Sequence, residues 1–182
     1  MVVCIQCQSS RGKTFQLKMA DYEEVLSPVC KEKLSGLILK PEQKEAIISL
    51  LNGKDVFDVL PTGFGKSLIY QSFVFGKEII DGHSPSVIVV IPLRSIVQEQ
   101  LASNEFNLQA VELSLQDDVL KNVSEGEVEV VYALAENVLN DKFLSTLRDS
   151  NSPFRRQLKV DCCRRVTYSI YVVSNSQSLK PV

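Results

Sequence analysis

Leu60-Pro61-Thr62-Gly63-Phe64-Gly65-Lys66-Ser67 separates two stretches of opposite periodicity. Before it, residues 56–60 read as a short strand. After it, residues 66–80 space their apolar side chains as a helix does. A strand, a loop with two glycines and a helix opening on Lys-Ser is the arrangement of a phosphate-binding loop. Gly63 and Gly65 let the backbone turn so that its N–H groups converge on phosphate oxygens. The helix start adds its positive end. In this pattern Lys66 reaches the β- and γ-phosphates of a nucleotide, and the Ser67 hydroxyl ligates Mg²⁺. The general pattern asks for glycine where Leu60 stands, so the match is incomplete. The alternative is a glycine-rich turn whose lysine is merely solvated; the strand–loop–helix context argues against it.

Outward from the loop the chain keeps alternating. Residues 86–91 (SVIVVI) are a continuous apolar run, as in a strand buried on both faces. Residues 95–102 read as a helix, 127–132 (EVEVVY) as a strand and 135–147 as a helix. Strand and helix in alternation, without hairpin turns, predict an α/β fold: a three-layer parallel sheet covered by helices. Upstream, Pro41 stands where a helix can start, Ala46, Ile47, Leu50 and Leu51 form its apolar face, and Asn52-Gly53 stops it. Residues 21–34 predict one more helix, weakened by Pro28. Residues 1–19 show no period and read as a loose lead-in.

The 182 residues, 45% of them hydrophobic, are enough for one buried core and too few for two full domains. No run of 18 apolar residues exists, so no transmembrane helix and no membrane partner are expected. The N-terminus does not read as a secretory signal. A net charge of −2 excludes a histone-like polycation. Cys4-x-x-Cys7 has the spacing of half a zinc site, yet His83 is the single histidine and no second such pair follows, so a metal site is not expected. Five cysteines fit free thiols in a reducing compartment.

The residues 61–71 (PTGFGKSLIYQ), preceded by 39–47 (LKPEQKEAI) and 52–56 (NGKDV), resemble the RecQ-like branch of superfamily-two, DEAD/DEAH-like helicases. That resemblance implies a RecA-like ATP-binding lobe over residues 20–160, with ATP and Mg²⁺ as cofactors and with Thr62, Gly63, Phe64, Gly65, Lys66 and Ser67 cradling the triphosphate. It implies that Gln43 reads adenine through its amide, although on its own Gln43 could be an exposed residue of an amphipathic helix. Residues 92–100 (PLRSIVQEQ) are similar to an element that touches the DNA backbone, which implies phosphate contacts from Arg94 and Ser95; an ordinary solvated arginine is the alternative. Residues 132–139 resemble a further turn of the family, with Ala135 in place of its proline. DNA as partner, 3′–5′ movement in complete relatives and an intracellular, nuclear location follow from the resemblance alone. A small kinase with the same loop is disfavoured by the Gln43 element ahead of it.

The family's DExH acids are missing. Neither SVIVVI nor EVEVVY ends in a carboxylate, and Asp161, near the expected place, is followed by Cys162. The catalytic acids are therefore unassigned. Residues 148–182 also carry seven Lys/Arg against two Asp/Glu, whereas the rest carries 13 against 20. Read one nucleotide forward, the codons under residues 161–169 permit IVVDESHT, with Arg164-Arg165 allowing Asp and Thr167-Tyr168 allowing His. Residues 161–182 are thus expected to be an aberrant tail, frameshifted or disordered, and the lobe incomplete. A native basic arm is the alternative. The transcript decides between them: nucleotides that do not spell GAY-GAR-NNN-CAY one base over exclude the shift.

Overall fold

The computed structural model describes residues 2–5, 19–54, 56–149, 151–154 and 170–173. Among these, α1 (Met19–Pro28) leads into a π-helical turn (Val29–Lys33), followed by α2 (Pro41–Leu51). The single helix expected over 21–34 therefore changes its winding at Pro28. Proline has no N–H to bond the preceding turn, and the wider turn after it still buries Val29 completely. Pro41 opens α2 as its sequence suggests, and the Asn52 N–H closes it on the Ile48 carbonyl.

Among the described residues, six strands form one sheet in the order β2-β1-β6-β3-β5-β4. They are β1 (Val2–Ile5), β2 (Val56–Val59), β3 (Val87–Val90), β4 (Ala110–Glu112), β5 (Val130–Ala133) and β6 (Ile170–Val173). β3 pairs in parallel with β5 and β6, and β5 with β4. β1 is antiparallel to both of its neighbours, β2 and β6. Five strands thus share one direction and β1 alone opposes it. The parallel expectation is amended at that strand. The loose lead-in is likewise amended at Val2–Ile5, whose β-branched VVCI suits an extended chain once partners flank it. Within the tail expected to be aberrant, Ile170–Val173 is a strand; the frame reading at 161–169 lies outside the described residues.

Helices cover both faces. On β3 the odd residues Val87 and Val89 join Val130 and Tyr132 of β5 in a core with α1, α2 and α3 (Lys66–Asp81). Val97 of α4 (Arg94–Ala102) packs into the same core. Ile88, Val90, Val131 and Ala133 face the other way, against Leu120 and Val123 of α5 (Asp117–Glu125) and Phe143 and Leu147 of α7 (Asp141–Arg148). That is the three-layer α/β architecture. The helix expected over 135–147 is split into α6 (Ala135–Val138) and α7, because Asn140 leaves the helix and its side chain accepts from the Lys142 N–H at 3.0 Å. No helix among the described residues is long and apolar enough to cross a membrane.

The β2–α3–β3 crossover passes over two strand positions, which β1 and β6 fill from opposite ends of the chain. Because β2 and β3 run the same way, the loops leaving them, 60–65 and 91–93, emerge at the same end of the sheet, outside the carboxyl ends of the strands. Open parallel sheets bind ligands at that end.

Candidate phosphate site and its surroundings

Gly65 caps α3 with φ +81° and ψ 42°, the left-handed region that glycine enters without strain. Gly63 also has a positive φ, +76°. A Cβ on Gly65 would lie 2.8 Å from the Gln43 amide nitrogen, whereas one on Gly63 would meet open space. Only at Gly65, then, is the missing side chain also a matter of room.

Gln43 supplies the reason. It is 2% exposed, its Oε1 accepts from the Lys40 N–H at 2.8 Å, and its Nε2 donates to the Phe64 and Gly65 carbonyls at 2.8 and 3.2 Å. Both amide hydrogens are committed and one lone pair of Oε1 remains. The reading of Gln43 as an exposed helix residue is thereby excluded; its amide holds the loop to the start of α2. The Lys40 ammonium lies 4.1 Å from the Phe64 ring centroid and presses on the same loop.

Lys66 is buried, and its Nζ donates to the Leu60 carbonyl at 2.9 Å and to that of Pro61. Burial pulls its pKa below the ordinary lysine value, since an ammonium loses hydration there. Among the described residues, the N–H groups of Thr62, Gly63, Gly65, Lys66 and Ser67 have no acceptor; those of Phe64 and Leu68 bond to Pro61 and Gly65. Thr62 is exposed at the rim. A loop with unpaired N–H groups, a desolvated ammonium and a helix start is suited to an anion carrying several oxygens. ATP with Mg²⁺ fits this donor set, and the Ser67 hydroxyl lies in the first turn of α3, next to the loop.

The Ser67 Oγ donates to Oε1 of Gln100, on α4, at 2.8 Å. This contact ties the phosphate loop to the helix carrying the other expected residues. Arg94 and Ser95 stand exposed in the first turn of α4. Arg94 Nε forms a 2.9 Å ion pair with Glu112 Oε1, and Gln98 donates to the other oxygen of Glu112 at 2.5 Å. Sequence reasoning named Arg94 and Ser95, but neither the Glu112 partner of Arg94 nor the bond from Ser67 to Gln100, the last residue of the same 92–100 element. One signal for a contact was present: Tyr70 follows Ser67 by three residues, on the same helix face. The Cys4/Cys7 pair lies outside the described side chains.

A sequence model of the DEAD/DEAH box helicase family matches residues 40–160, well over half of the chain. The chain belongs to that family. Within the DEAD/DEAH box helicases its curated relatives are RecQ-like. The RecQ-like DNA helicase blm-1 of Caenorhabditis elegans is 38% identical over 81 residues, which are 44% of this chain and 8% of that protein. The ATP-dependent DNA helicase hus2/rqh1 of Schizosaccharomyces pombe is 38% identical over 102 residues, 55% of this chain and 7% of that protein. The ATP-dependent DNA helicase RecQ of Haemophilus influenzae is 30% identical over 119 residues, 62% of this chain and 18% of its own length. This DEAD/DEAH box chain therefore spans a small part of each relative. The match begins at Lys40, the residue whose N–H Gln43 accepts, and includes the phosphate loop and α4.

Proposed function

We propose that the chain is the ATP- and nucleic-acid-binding lobe of a RecQ-like DNA helicase, able to hold Mg-ATP but not to hydrolyse it or unwind DNA alone. The observation that carries the reading is the loop itself: free N–H groups and a buried lysine between β2 and α3, clamped by Gln43. A triphosphate would exchange the Leu60 and Pro61 carbonyls on Lys66 for charged oxygens, which are stronger acceptors. Thr62 to Ser67 would surround it, and bound Mg²⁺ would neutralise phosphate charge. The remaining lone pair of Gln43 Oε1 could accept from the adenine amino group, while guanine offers a carbonyl there.

Turnover needs a carboxylate to hold the metal and orient water. β3 is followed by Ile91-Pro92, β5 by Leu134-Ala135 and β6 by Ser174-Asn175, none of them acidic. Glu112 ends β4, at the edge opposite β2, and gives its oxygens to Arg94 and Gln98. In the proposed role these residues bind and orient, and none abstracts a proton. Titrating the chain with Mg-ATP while following phosphate release tests both halves. Saturable binding without release is expected; release stimulated by single-stranded DNA would sink the claim of inactivity, and no binding would sink the lobe.

For the DNA half, Glu112 is the residue to change. Its carboxylate competes with backbone phosphate for Arg94, through a pair whose arginine is exposed, worth about 0–1 kcal/mol. Glu112→Gln is expected to tighten binding of a single-stranded oligonucleotide roughly two- to fivefold, from that energy and the removed repulsion, most clearly at low salt. Unchanged or weaker affinity in a filter-binding series would remove Arg94 from the DNA surface.

A further inference from the structure

Ser67 ends a chain of hydrogen bonds whose direction can be assigned. Gln100 Oε1 can only accept, and it takes both the Ser67 hydroxyl at 2.8 Å and the Tyr70 hydroxyl at 2.9 Å. Tyr70 has then spent its single hydrogen. Its 2.9 Å contact with the Tyr132 hydroxyl must therefore run from Tyr132 to Tyr70. The order is Tyr132 to Tyr70 to Gln100, with Ser67 giving to the same oxygen from the loop side.

The chain crosses three elements: Tyr132 lies on β5, Tyr70 and Ser67 on α3, and Gln100 on α4. Both tyrosines are buried, and their rings meet edge to face at 6.3 Å and 78°. An isolated serine hydroxyl rotates among three wells. This one has its proton directed at α4. A neutral hydroxyl that ligates a cation offers a lone pair and needs another acceptor for its proton. Outer groups that orient a ligand in this way commonly matter about 10–100-fold in metal affinity.

We propose that Gln100, held by Tyr70 and Tyr132, is a positioning residue that keeps the Ser67 proton turned toward α4 and so presents the Ser67 oxygen to the divalent cation of a nucleotide. The proposal rests on the reading of Ser67 as the cation ligand. Gln100 acts through Ser67 and touches neither nucleotide nor metal.

The test is calorimetric titration of ATP, in Mg²⁺ and in EDTA, into the full chain and four variants. The Mg²⁺-dependent gain in affinity is the readout. Gln100→Leu is expected to lose about tenfold of that gain while leaving the EDTA affinity within about twofold. Gln100→Glu, which keeps an acceptor, is expected to retain the gain; it also serves should the leucine variant fail to fold. Ser67→Ala is expected to lose the gain, and Gln100→Leu added to Ser67→Ala to cost nothing more. A Ser67→Ala chain that loses the gain beside a Gln100→Leu chain that keeps it overturns this proposal alone. Additive losses overturn it as well, because Gln100 would then act elsewhere. A Ser67→Ala chain that keeps the gain overturns the cation reading together with it.

Discussion

Lys66→Ala is expected to weaken Mg-ATP binding at least about 100-fold, with little change in thermal stability. The affinity loss follows from removing two or more charge-assisted hydrogen bonds to phosphate, each worth about 1.5–3 kcal/mol, where 1.4 kcal/mol is a factor of ten. The small stability change follows from burial. Lys66 keeps its ammonium on two loop carbonyls, yet its pKa is lowered by lost hydration. The folded chain therefore binds this proton less tightly than the unfolded one. The sign is that stability rises as pH climbs from the depressed value toward the ordinary lysine range. Alanine removes that opposing cost together with the bonds. Fluorescence titration with a labelled ATP and a thermal melt measure the two effects separately. Full ATP affinity in the variant would exclude residues 60–67 as the triphosphate site.

Gly65→Val is expected to damage fold and loop together. A side chain at φ +81° costs about 1–2 kcal/mol, and more with β-branching. Its Cβ would also lie 2.8 Å from Gln43 Nε2, so the amide must leave the Phe64 and Gly65 carbonyls or the loop must shift. An unpaired buried amide costs about 1–3 kcal/mol. A melting-temperature loss of about 5–10 °C follows, at roughly 2–4 °C per kcal/mol for a domain of this size. Gly63→Val separates the two causes. It has a similar φ but open space, so the backbone cost alone applies, about half the loss. Equal melting temperatures for the two valine variants would show that Gln43 does not clamp the loop.

The elements legible in the sequence were those with a strong local signal. β2, α3 and β3 lie within about two residues of expectation, because a two-glycine loop and an unbroken apolar run leave few alternatives. α5 was missed, since Leu120 and Val123 are its only buried apolar residues, too few to show a period. β4 is three residues long and ends in a charge, which pairing to β5 offsets. The reversed β1 could not be read from VVCI, because its direction is set by strands more than fifty residues away. The site divides in the same way. Gly63, Gly65, Lys66 and Ser67 announce themselves by spacing. Gln43 was found through resemblance, and its grip on the loop only through the packing of α2 beside α3. Gln100 closes the 92–100 element, but its bonds to Ser67 and Tyr70, and that between Tyr132 and Tyr70, cross the fold and no local pattern marks them.

The most direct test of nucleotide placement is amide hydrogen exchange of the wild-type chain, with and without saturating Mg-ATP. Slowed exchange at Thr62, Gly63, Gly65, Lys66 and Ser67, whose N–H groups have no acceptor among the described residues, is the expected result. Saturable ATP binding that leaves those five amides unchanged, with protection arising elsewhere, would contradict it.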